Sequence, residues 1–125
     1  MQKKKIFIID ESGFSRICSA LLTQIGYSAE IVPHVDELPS GLTSDNFGLI
    51  VTSYPYSLSL LDEIKERKIP TLTLSDNIDS ALMRILNEVD NSYCMIKPVD
   101  YEKFRCLIQQ VMNGELTACG GFNIV

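Results

Sequence analysis

Apolar residues in this chain fall into two kinds of run, short and unbroken or spaced at three and four, and the two kinds alternate from one end to the other. Ile6 to Ile9 is a continuous apolar run, and Gly48 to Thr52 is a second, inside Phe47 to Tyr56. Unbroken β-branched runs without alternation suit strands buried on both faces, as in the middle of a parallel sheet. Tyr27 to Val32 reads as another strand, closed by Pro33, which cannot donate to a ladder. Thr71 to Leu74, begun by Pro70, and Cys94 to Ile96 complete five strands.

Between them the period changes to that of a helix. Phe14, Ile17, Cys18, Leu21, Leu22 and Ile25 share one helical face, and Gly26 provides the stop. Leu58, Leu61 and Ile64 mark another helix, where Ser59 and Asp62 have the spacing of a capping box. Asp79 to Val89 carries Leu82, Ile85, Leu86 and Val89 on one side. Asp100 caps a last helix through Phe104, Leu107, Ile108, Val111 and Met112, ended by Gly114. The stretch His34 to Asn46 allows one or two turns at most, since Pro39 and Gly41 oppose a long helix.

Five strands alternating with helices predict an α/β fold: a flavodoxin-like, three-layer, doubly wound, five-stranded parallel sheet in the order 2-1-3-4-5, with right-handed crossovers. The expected domain is 1–114. The tail 115–125, ELTACGGFNIV, is compatible with disorder, with a linker remnant or with an extra strand, and the sequence does not choose.

A chain of 125 residues is long enough for one core without staples. Eleven Lys and Arg against sixteen Asp and Glu give net charge -5, and the basic residues cluster only at Lys3 to Lys5, so a nucleic-acid partner is not expected. No apolar run reaches the ~20 residues needed to span a bilayer, and MQKKKIFIID runs from lysines straight into a strand, which makes a cytoplasmic location the expectation. Cys18, Cys94, Cys106 and Cys119 form no CxxC pair and have no nearby histidine. Three lie in apolar segments and read as small buried hydrophobes, with Cys119 in the tail the exception.

Chemistry gathers at the strand ends. The first strand delivers Asp10 and Glu11, the third Ser53, the fourth Ser75 and the fifth Lys97 followed by Pro98. In the predicted order these strands are neighbours, and the carboxyl edge of such a sheet is its ligand crevice. Paired carboxylates there can hold a hydrated Mg²⁺, and a lysine and a hydroxyl can bind a phosphoryl group. Plainer roles exist for each: Asp10 and Glu11 as acids at a helix start, Lys97 as the partner of Asp10, Ser75 as the cap of the following helix. His34 reads as an exposed loop residue. Tyr54 and Tyr56 read either as a cover over the crevice or as surface aromatics.

In IIDESGFSR, IPTLTLS and IKPVD, taken in order, the chain from about Lys4 to Asn113 resembles the receiver domain of two-component response regulators (chemotaxis-Y-like). The resemblance implies that Asp10 and Glu11 match the Mg²⁺-binding acidic pair, Ser75 the switch hydroxyl and Lys97 the phosphate-binding lysine. It also implies partners, a histidine kinase or an output domain, and a docking face carrying Arg84, Asn87, Glu88 and Tyr101.

The departures from that pattern are specific. Ser53 stands where the family's phosphoacceptor aspartate belongs, and the loop after it is shortened, without its Met-Pro and Asp-Gly elements. Cys94 occupies the place of the usual aromatic switch residue, with Tyr93 one position too early. These changes point to a non-enzymatic pseudo-receiver that docks a protein independently of phosphorylation, binds Mg²⁺ weakly and needs no cofactor. Whether it forms a homodimer stays open. The competing class is a flavodoxin-like domain binding a small molecule or nucleotide. Against it, Glu11, Ser12 and Gly13 sit where a glycine-rich phosphate loop would be, and no Ser-His-Asp or Cys-His set exists. A melting shift in a nucleotide and flavin panel separates the classes, because a ligand at a hundredfold its Kd adds ~2.7 kcal/mol.

Overall fold

The structure is a computed structural model that describes residues 5–9, 12–31, 46–54, 61–77, 79–88, 92–96, 100–113 and 122–124; at 12–15, 61, 67 and 122–124 it describes the backbone alone. Strands are β1 (Lys5–Ile9), β2 (Ala29–Ile31), β3 (Phe47–Ser53), β4 (Thr71–Ser75), β5 (Ser92–Ile96) and β6 (Phe122–Ile124). Helices are α1 (Ser12–Gln24), α2 (Leu61–Arg67), α3 (Ser80–Glu88) and α4 (Tyr101–Met112). All strand pairs are parallel and the order is β2-β1-β3-β4-β5-β6. The five expected strands thus take their expected order. The tail adds a sixth, beside β5, so the sheet is six-stranded rather than five-stranded.

The unbroken apolar runs are buried on both faces, as their composition requires. Ile6 and Ile8 of β1 join Cys18, Leu22, Phe104, Leu107 and Ile108 in a core formed with α1 and α4. Phe7 and Ile9 join Phe47, Ile50, Ile64 and Ile69 on the side of α2, where the Phe7 and Phe47 rings meet edge to face at 5.6 Å. Leu82 and Leu86 of α3 pack with Cys94 of β5. The register Ile8, Val51, Leu72, Tyr93 crosses four strands, and all four residues belong to the α1/α4 core. Pairing slips between Lys5–Phe47 and Ile6–Leu49, which leaves Gly48 as the extra residue of a bulge, a position that favours glycine.

Helix ends follow local chemistry. α1 closes in a Schellman arrangement: Tyr27 N–H donates to Leu22 O (2.9 Å), Gly26 N–H to Thr23 O (3.1 Å), and Gly26 has φ 91°. Asp100 caps α4 as expected, its Oδ1 accepting from Glu102 N (3.0 Å) and Lys103 N (3.2 Å).

Several expectations are corrected. The helix expected to begin at Asp79 begins at Ser80, because Asp79 is its cap, with Oδ1 accepting from Leu82 N at 2.8 Å. Ile17 is 48% exposed, whereas Cys18 and Leu22 of α1 are fully buried and Leu21 and Ile25 pack partly buried against the same core. Cys106 is exposed, lying between the buried Phe104 and Leu107 positions on the solvent side of α4. β5 starts at Ser92, two residues early, and β2 is shorter than Tyr27 to Val32. The turns anticipated in 34–45, the proposed cap Ser59, Gly114 and Cys119 lie outside the described residues.

Candidate functional site

Because every strand is parallel, their carboxyl ends form one edge. Ile9 ends β1 opposite Thr52, Ser53 ends β3 opposite Leu74, and Ser75 ends β4 opposite Ile96, the last residue of β5. Ile9 and Ile96 immediately precede Asp10 and Lys97 in sequence; Asp10, Glu11 and Lys97 themselves lie outside the described residues.

Ser53 is 3% exposed, so this serine is enclosed at the end of β3. The strand ends around it are tied together by hydrogen bonds. Thr52 Oγ1 donates to Ile9 O at 3.0 Å, and Tyr54 N–H donates to Leu74 O at 2.9 Å, extending the β3–β4 ladder past Ser53. Ser75 is buried but its hydroxyl turns into its own loop, where Oγ donates to Asn77 O at 2.6 Å. It is therefore not the cap of α3, a role Asp79 fills. Ser53 and Ser75 end neighbouring strands but are not register partners.

Tyr54 is half-buried and packs against the cluster of Leu82, Leu86 and Cys94. Of the two sequence readings for this tyrosine, neither described this contact: its ring joins the end of β3 to α3 and β5. Cys94, small where an aromatic was expected, lies in that same cluster, while Tyr93 is enclosed in the α1/α4 core. Burial pushes the pKa of the Tyr93 phenol and of the Cys94 thiol above their ordinary values, because the charged forms would lose their water.

The anticipated docking residues Arg84, Asn87, Glu88 and Tyr101 are all exposed on α3 and α4. Tyr101 is 45% exposed, and two further large apolar side chains are exposed as well: Met83 of α3 (43%) and Ile96 at the end of β5 (37%). Met83 and Ile96 were missed. The available signal for Met83 was an apolar residue off the stripe of Leu82, Ile85 and Leu86.

Among the described residues no group of three or more His, Cys, Asp or Glu is placed to hold a metal, and no helix is long and apolar enough to cross a membrane. Among the described strand ends, Ser53 brings a neutral hydroxyl, whereas Mg²⁺ relies on anionic oxygens.

No protein-family model matches the sequence, and no curated protein does. Solved structures do. A response regulator receiver domain protein (CheY-like) from Methanospirillum hungatei is 16% identical with a TM-score of 0.68, covering 91% of this chain and 97% of that one. The non-phosphorylated HemR receiver domain of Leptospira biflexa is 17% identical with a TM-score of 0.68, over 94% and 98% of the two chains. An orphan response regulator of H. pylori is 18% identical with a TM-score of 0.66, over 90% and 99%. At such identities the likeness is one of architecture, and it states what the sheet order and the helix layers had already built: this chain has the fold of the response-regulator receiver domains.

Proposed function

We propose that the chain is a pseudo-receiver: a non-enzymatic, cytoplasmic signalling module of the two-component type that docks a protein partner without aspartyl phosphorylation. The observation that supports this reading is Ser53, a buried serine ending β3 where the resemblance to receiver domains implies a phosphoacceptor aspartate. An aspartate attacks phosphorus as a ready anion, whereas a serine hydroxyl is protonated near pH 7 and needs a base. His34 is the sole histidine in the sequence and follows the second strand, far along the chain from the crevice residues. General-base help is commonly worth 10² to 10⁴ in rate, and its loss adds to that of a weakened Mg²⁺ site.

In this reading Lys97 serves as the partner of Asp10, Ser75 is occupied by its own loop, and Tyr54 fixes the end of β3 against α3. Arg84, Glu88 and Tyr101, with Met83 and Ile96, form the docking face for a histidine kinase or an output domain. The test is mass spectrometry after incubation with acetyl phosphate and Mg²⁺. No added phosphate is expected, and Ser53→Asp restores only partial labelling. Stoichiometric phosphorylation of the unmodified chain overturns the proposal.

A further inference from the structure

The two edges of the sheet are protected differently. β2, at one edge, is Ala29–Ile31 with a central Glu30 that pairs with Lys5 at 3.3 Å, and Glu30 and Ile31 are exposed. A charge on an open edge strand deters pairing with other chains. β5 has the sequence SYCMI, with no charge, and Ser92 to Met95 are all buried. An uncharged apolar strand of this kind would be an open template for strand addition were its edge bare. It is covered by β6, in the parallel register Ser92–Phe122, Tyr93–Asn123, Cys94–Ile124.

The cover is slight. β6 is three residues long, against seven for β3. In the sequence, 113–121 separate it from α4, a run longer than the roughly 2–6 residues such connections use. Short ladders at the margin of a sheet open well before the core does.

We propose that β6 is a built-in pseudo-ligand occupying a strand-addition site on β5, and that the partner this face takes is a protein presenting an extended segment of apolar-polar-apolar pattern like Phe122-Asn123-Ile124. That segment adds to β5 in parallel after β6 is displaced. Backbone hydrogen bonds supply the pairing, and the exposed Ile96 of β5, with Met83 of α3 and Tyr101 of α4, supplies apolar contact to the rest of the partner. The proposal rests on the docking reading for its choice of face and adds the chemistry of the partner and the means by which the free protein shields the site.

The test uses the full chain and a fluorescent peptide spanning Gly120 to Val125. Asn123→Pro puts a residue without a backbone N–H in the middle of β6 and weakens the strand. The variant is expected to bind the peptide at least tenfold more tightly than the wild type. Equal binding by both chains, or no binding by a cooperatively melting variant, overturns the proposal. Hydrogen exchange on the wild type gives a second reading that does not depend on the variant folding. Amides of 122–124 are expected to exchange at least a hundredfold faster than those of β3, and equal protection overturns displacement. Peptide binding reads strand exchange alone, whereas charge reversal at Arg84 and Glu88 reads the docking face, so the two ideas fail separately.

Discussion

Thr52 and Ile9 are joined across β3 and β1 by a buried hydrogen bond, Thr52 Oγ1 donating to the Ile9 carbonyl at 3.0 Å. Each is the residue just before a crevice position, Ser53 in one case and Asp10 in the other. Removing the hydroxyl while keeping the shape, as in Thr52→Val, is expected to lower stability by about 1 kcal/mol, the usual net worth of such a bond. Urea denaturation measures it; an unchanged midpoint means the bond contributes nothing.

Charge reversal on the proposed docking face gives the second prediction. Arg84→Glu with Glu88→Arg leaves the fold intact, because both residues are exposed. It is expected to weaken a captured partner about tenfold, or ~1.4 kcal/mol, chiefly through a slower association rate. Unchanged affinity, together with loss of binding from a substitution on α1, would move the docking face elsewhere.

Magnesium gives the third. With a hydroxyl at Ser53 the strand ends offer one carboxylate fewer than the family pattern, and Mg²⁺ binding is expected to be millimolar or weaker, ~4 kcal/mol or less. Calorimetry returning micromolar affinity would contradict it.

The fourth concerns the buried thiol and phenol. Tyr93 and Cys94 have raised pKa values through burial, so the unfolded chain releases these protons first as pH rises. The stability they contribute is complete below about pH 8.5, where a free thiol begins to ionise, and is lost as pH climbs toward their folded values. Urea midpoints should be level from pH 7 to 8 and fall toward pH 10. A thiol reagent with peptide mapping should modify exposed Cys106 quickly, and Cys18 and Cys94 only through unfolding. Fast labelling of Cys94 would show the α3–β5 cluster to be open.

The sequence by itself determined the strand and helix order and most of the core. Runs such as Ile6 to Ile9 have nowhere to go but a doubly covered strand, and Asp100 and Gly26 punctuate helices by local hydrogen bonding that needs no distant partner. It also determined that Ser53 ends a central strand, and therefore that a hydroxyl stands at that strand end. What only the tertiary structure decided is relational. Ser75 and Asp79 are both chemically fit to cap α3, and the path of the loop chose Asp79. Tyr54 reads as surface or cover until α3 and β5 are beside it. Phe122 to Ile124 is too short a run to declare itself a strand, because its hydrogen-bond partners lie in β5, some thirty positions earlier in the chain, and only the closed sheet brings that uncharged edge alongside.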